Sequence, residues 1–426
     1  MNDHLDIANL PSLAEAGFSG GRDNFREFCR TIFRMNEPRF LRNDQNQLVV
    51  FRHEDLQAFG TAPQIGNLPI GKLYPARFTS DGSPTRGPGS GVADVISSQV
   101  FTFNPPLHGP ARQILIDWLG PKQIAALERV GRQAAHAVLD RIQHSSPLDF
   151  VSAIAERLTI SFWSSLLHLT DSETDTIGAC TREMTRLFRL GRNADDLQAL
   201  DLAFAEYARI LDDVATRRLA AKDPDLTAVA EKLAALRSDD DPFAVGVAPK
   251  SVGQLLAGNL VDGFHTTALA TANTFCVLAR DPNAMTQVRA SPQLAAKAIA
   301  EALRIEPPII FLKRYALEDF TYRGKTIPAG SIVTMLWAAG NYDPSVFPDP
   351  ERFDINRIHA GLTTFGKGIH ICPGRHLGVM LIRVLLDVFL EKDIEVELSG
   401  DRVTWIPRHM VNQLSAMPAI VKRRTG

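Results

Sequence analysis

The chain predicts a mainly α-helical protein with a smaller β-rich part. Three observations carry that expectation. Apolar residues at helical spacing dominate from 121 to 236. The longest periodic segment, 251–279, and another strong helical pattern, 375–392, follow it. Strand-like runs are short and separate, at 40–42, 48–51, 320–330, 394–398 and 403–406. The 426 residues are 45% hydrophobic and 22% charged, which suits a soluble globular protein with a large core. Length alone would allow two or three domains. No linker-like break divides the chain, so one domain spanning 1–426 is expected.

Other classes are disfavoured. A net charge of −2, with no basic tail, gives no argument for nucleic acid. Cys29, Cys180, Cys276 and Cys372 have no paired spacing, so neither a disulfide framework nor a zinc site is expected. Residues 1–13 lack the basic and apolar regions of a signal peptide. No apolar run approaches the ~18 residues of a membrane span. A reducing, cytoplasmic setting without a membrane follows.

Taken in order, Phe25, Phe28, Ile32 and Phe33 place a helix over 22–35. Residues 43–46 are turn chemistry between two short strands, and 53–59 reads as a short helix. Glycine and proline crowd 60–98, which predicts a long irregular loop. His108 and Arg112 are four apart and share a face if helical, with Pro110 tolerated in a first turn. Trp163, Leu166, Leu167 and Leu169 suggest a buried helix, with further helices over 182–192 and 195–219. Ser251 is a good N-cap for the long helix and Asp281-Pro282 marks its end. Its middle reads Leu260-Val261-Asp262-Gly263-Phe264-His265-Thr266-Thr267. Gly and Thr there weaken the helix, and Thr can bond back to the carbonyl four residues earlier. A local defect with room for a small ligand is expected. Glu301 and Arg304 are three apart on a helix over 294–305, which Pro307 and Pro308 end.

The most informative stretch is Phe365-Gly366-Lys367-Gly368-Ile369-His370-Ile371-Cys372-Pro373-Gly374. A cysteine just before a helix meets unpaired N–H groups, whose partial positive charge favours thiolate. The glycines allow a tight turn and the close approach of a flat ligand.

This stretch resembles the cysteine loop of the cytochrome P450 family, F-G-x-G-x-H-x-C-x-G, at every fixed position. The resemblance runs over about 104–420. It implies a triangular single-domain fold with haem b enclosed between the long helix and the cysteine helix. It makes Cys372 the thiolate ligand of the iron, with Phe365, His370 and Gly374 part of the haem-binding loop. A thiolate donates electron density and favours O–O cleavage. The segment with His108 and Arg112 resembles the family's P-P-x-H-x-x-x-R, which binds a haem propionate. Arg314 resembles a second propionate contact. Glu301 and Arg304 match E-x-x-R, whose partner arginine would here be Arg352. Thr266 falls on the threonine that helps deliver protons. Two positions depart from the usual A-G-x-[D/E]-T-T: His265 occupies the acid's place and Asp262 that of a small residue.

His265 replaces the carboxylate in a proton relay, oriented by Asp262, or else it only bonds another helix while water carries protons. Asp262 could instead bind a polar group on the substrate. Phe264, Ile309 and Ile310 are expected to line the substrate pocket. The resemblance implies insertion of one oxygen atom of O2 into a mid-sized hydrophobic molecule, such as a terpenoid. No flavin or iron–sulfur module is recognised, so a separate ferredoxin-type donor is implied. Lys367 and Arg375, beside the cysteine, could meet an acidic partner or could equally be ordinary surface charges. Desaturation, multi-step oxidation, peroxide use and a haem-thiolate sensor without turnover stay open as alternatives.

Overall fold

Local signals set the main helix boundaries. Ser251 Oγ accepts the Gln254 N–H at 3.1 Å and opens the helix Val252–Ala279. Asp281 accepts the Ala284 N–H and opens Pro282–Ala290. Thr170 and Asn193 form reciprocal caps at Asp171–Met184 and Ala194–Ala220. The computed structural model describes residues 3–73, 88–188, 193–236, 249, 251–400, 403–408 and 410–424.

The helix Val252–Ala279 buries residues around most of its circumference, as a central helix must. It packs on Ala194–Ala220, Arg157–Leu167, Ala295–Ile305 and the cysteine helix Arg375–Glu391. The last crossing is close: a Cβ added at Gly378 would lie 3.8 Å from Thr267 Oγ1. The largest apolar cluster runs from Ile70 to Val421 in sequence. A second cluster joins Phe18, Phe25 and Phe28 to Phe51 and Tyr342.

Strands form the smaller part. A five-stranded sheet has the spatial order Leu41–Arg42, Leu48–Val50, Ile332–Met335, Leu312–Ala316, Ile65–Asn67. Leu48–Val50 and Ile332–Met335 are parallel, and the other pairs are antiparallel. Its register sets Arg314 between Val333 and Asn67, inside the sheet. The expected 320–330 hairpin forms, turning at Arg323 and Gly324 with φ of 50° and 77°. No helix among the described residues is long and apolar enough to cross a membrane.

Two local expectations are corrected. The 60–98 segment is not irregular throughout: it contains the strand Ile65–Asn67 and the helices Ile70–Leu73 and Ser90–Ile96. Ile65, Ile70, Val92, Val95 and Ile96 are buried, so short apolar runs survive between the glycines and prolines. Residues 74–87 lie outside the described residues. The long helix has no break at its centre. Gly263 is there for packing, since a Cβ would come within 2.8 Å of Trp163 Cζ2. Thr266 Oγ1 does bond back to the Asp262 carbonyl, at 2.6 Å, without interrupting the helix.

Candidate functional site

Gly366 and Gly368 adopt φ of +72° and +70°, a region other residues avoid. A Cβ at Gly368 would fall 2.1 Å from the Gly60 carbonyl oxygen. These turns fold the loop back so that the Cys372 N–H donates to the Phe365 carbonyl at 2.9 Å. The helix Arg375–Glu391 starts immediately afterwards, with Gly374 at its N-cap. Arg375 is held by the loop, its guanidinium donating to the Cys372 carbonyl at 3.0 Å.

Cys29, Cys180 and Cys276 are buried; Cys372 keeps part of its surface open. Yet burial is the first cause acting on the Cys372 thiol, and Asp262 of the long helix acts on it through space, so its open surface faces an internal hollow. Asp262, His265 and Thr266 on the long helix also keep free surface, and burial is the first cause of the shift at both Asp262 and His265. The hollow therefore has the sulfur on one wall and the middle of the long helix on the other.

Electrostatics say what the hollow can hold. Burial pushes the Cys372 thiol up; the Gly374 N–H and the charges of Arg112 and Arg375 oppose this without reversing it. A metal ion on the sulfur would make it a thiolate. Among the described residues no cluster of three or more His, Cys, Asp or Glu could hold a metal. A single sulfur donor suits a metal that arrives within a macrocycle. Beside the loop, His370 Nδ1 and His108 Nε2 are 3.2 Å apart. Burial, with the charges of Arg112 and Arg314, lowers His108 to about 4 and His370 to about 2, so both rings are neutral. Arg314 is buried; its one described side-chain bond is to the Lys313 carbonyl, at 3.1 Å. Burial lowers it to about 10, which leaves it charged at neutral pH. Among the described residues neither Arg112 nor Arg314 has a carboxylate partner. Two guanidiniums and two neutral imidazoles with no counter-anion fit a ligand that brings its own carboxylates.

A buried network holds this loop in place. Arg304 and Glu301 are both fully buried and form a two-pronged pair with both N···O distances 2.8 Å. Arg304 also donates to the carbonyls of Asn341 at 2.8 Å and Pro350 at 2.6 Å. Asn341 anchors Thr363 and Thr364, directly before Phe365. The third charged member is Arg357, not Arg352. Arg357 Nε reaches Glu301 at 3.1 Å and His359 Nε2 lies 2.9 Å from it. The Arg352 side chain is 67% exposed and pairs with Asp354; only its carbonyl accepts from the network. The chain turns after Asp349 (φ +48°), so the residue that points inward comes later than spacing suggested.

The pocket expectation is corrected too. Phe264 is 3% exposed and packs on Trp163 and Tyr207, with ring centroids 5.7 and 6.1 Å away. Ile310 is fully buried in the cluster around Phe25 and Leu336. Of the three apolar candidates only Ile309 keeps open surface. Phe188 and Gln99 were not foreseen. Phe188 stacks on His265 at 5.2 Å and 13°. Gln99 Nε2 donates to Asp262 at 3.4 Å. No sequence signal marks either, because both come from segments remote from the long helix. No described bond joins the Asp262 carboxyl to His265; the carboxyl meets Gln99 and the ring stacks on Phe188.

An enclosed sulfur at a helix start, facing a carboxylate-seeking cationic pocket, defines a haem-thiolate protein. A family model described as Cytochrome P450 matches residues 222–409. The chain belongs to the cytochrome P450 family, is a monooxygenase of that family, and has haem b as its cofactor. Linalool 8-monooxygenase of Pseudomonas putida is 28% identical over 304 residues, 70% of this chain and 71% of that protein. Cytochrome P450 monooxygenase PikC of Streptomyces venezuelae is 26% identical over 351 residues, 81% of each. The structure of P450BioI in complex with a ligated acyl carrier protein superposes with a TM-score of 0.78 at 18% identity. It covers 93% of this chain and 98% of that one, which shows a shared fold.

Proposed function

We propose that this enzyme inserts one oxygen atom of O2 into a mid-sized hydrophobic molecule, taking electrons from a separate ferredoxin-type donor in the cytoplasm. The carrying observation is the hollow with Cys372 on one wall and Thr266 on the other. Residues 1–426 act as one domain, a reading supported by the largest apolar cluster, which joins residues from Ile70 to Val421. A terpenoid-sized substrate draws support from the relative named for linalool. Lys367 is exposed beside the cysteine loop and suits an acidic donor.

Bound haem supplies the redox chemistry that splits O2. The residues of the chain do the rest. Cys372 holds the metal, and Gly374 N–H, Arg112 and Arg375 stabilise the charge on its sulfur. Arg112, Arg314, His108 and His370 receive the propionates, and Phe365 braces the loop through its carbonyl. Arg314→Ala is expected to cost about 2 kcal/mol or more of haem affinity, read as haem transfer to an excess of apo-globin. A transfer rate equal to wild type would remove Arg314 from the haem site.

Thr266 Oγ1 is the proton-handling atom. Its hydrogen is donated to the Asp262 carbonyl, which leaves lone pairs to accept from water. His265 is a neutral relay: burial first, then the charge of Arg408, lowers it to about 4, and its buried Nε2 has no hydrogen-bond partner among the described residues. Thr266→Ala is expected to lower product formed per reductant consumed about tenfold or more. His265→Ala lowers it by a smaller factor. Unchanged coupling in His265→Ala would leave water as the carrier. Product with a ferredoxin system, compared with peroxide alone, tests the electron source; turnover with peroxide only would overturn the ferredoxin reading.

A further inference from the structure

Asp262 places a carboxyl where neither the haem nor the proton-handling hydroxyl uses it. It is exposed, yet burial is the first cause acting on its carboxyl and it acts on Cys372 through space, so its free surface belongs to the hollow. Its charge acts on Cys372 from the opposite wall. One oxygen receives a long 3.4 Å bond from Gln99 Nε2. Gln99 is 2% exposed, and its Oε1 is buried without a hydrogen-bond partner among the described residues. Among the described residues no cation pairs with Asp262. A ligand that fills the hollow displaces water from this carboxyl. Unless the ligand brings a donor, the carboxyl is left nearly bare, and that is costly.

We propose that the substrate is a hydrophobic molecule bearing a hydroxyl group, and that Asp262, steadied by Gln99, selects it by hydrogen bonding to that hydroxyl. This rests on the monooxygenase reading above. Burial pushes Asp262 up to about 7, so acid and carboxylate forms coexist near neutrality. A hydroxyl both donates and accepts and pairs with either form. An ammonium group would suit the carboxylate alone. Thr266 Oγ1 bonds to the carbonyl of the same Asp262, so the anchor lies one helical turn from the proton-handling atom. The anchored hydroxyl fixes which part of the apolar skeleton is presented for oxidation.

The test uses the holoprotein and matched ligands on acyclic and cyclic terpene skeletons: the alcohol, its methyl ether and the parent hydrocarbon. Binding is read as the shift of the haem absorption. In at least one set the alcohol is expected to bind about tenfold or more tighter than both analogues. That difference collapses in Asp262→Ala and is partly kept in Asp262→Asn, whose amide oxygen still accepts. No set favouring the alcohol, or a preference surviving Asp262→Ala, overturns the assignment. The reduced carbon monoxide spectrum, recorded on each protein, separates the two readings. A thiolate-type spectrum without alcohol preference sinks only the role of Asp262; its absence from the wild type sinks the monooxygenase reading.

Discussion

Replacing Cys372 with serine is expected to abolish the thiolate-type spectrum of the reduced carbon monoxide complex, and with it all measurable turnover. Serine keeps the size of the side chain and the backbone bond from residue 372 to the Phe365 carbonyl. What it lacks is an anion: an alcohol does not ionise at neutral pH as a thiol beside a metal does. The effect is therefore chemical, and circular dichroism should show the helical fold intact. The other three cysteines are buried and cannot stand in, and burial is the first cause that raises each of their thiols. A Cys372→Ser protein that kept the thiolate spectrum would refute the assignment outright.

Glu301→Gln is expected to cost about 3–5 kcal/mol of stability, the range for breaking a buried ion pair on one side. The glutamine leaves the fully buried Arg304 without its two-pronged partner and leaves Arg357 and His359 without their shared acceptor. Arg304→Lys should lose nearly as much, because an ammonium keeps the charge but not the fork that reaches Glu301, Asn341 and Pro350 together. Acid has a related effect. Burial alone would raise the Glu301 carboxyl, but bonds from Arg304 and His359 outweigh it and bring it from 4.5 to about 2. The stabilisation is complete above pH 4.5 and is lost as the pH falls toward 2, amounting to about 3 kcal/mol. In Glu301→Gln that part of the acid sensitivity disappears. Denaturant unfolding of both proteins across this interval measures it, and parallel curves would show that Glu301 does not carry the effect.

Arg352→Ala is a contrasting case. Its exposed side chain pairs only with Asp354, so the change should alter stability by less than about 1 kcal/mol. Arg357→Ala should cost several times more, since its guanidinium reaches buried Glu301. Thermal unfolding of the two variants decides which arginine completes the network.

What the sequence determined by itself was local. Glycines that only glycine can satisfy mark the turns at 366 and 368, Ser251 and Asp281 cap their helices, and the Cys372 loop places a sulfur at a helix start. Each depends on residues within a few positions of one another, so composition and spacing suffice. Tertiary structure decided which face of an element meets the hollow and which meets a neighbour. Phe264 belongs to Trp163 and Tyr207, Ile310 to the N-terminal core, and Glu301 to Arg357 and His359. Asp262 is turned toward the cavity beside Gln99. Those outcomes depend on partners far along the chain, whose approach is set by packing density and by the cost of leaving buried charge unpaired.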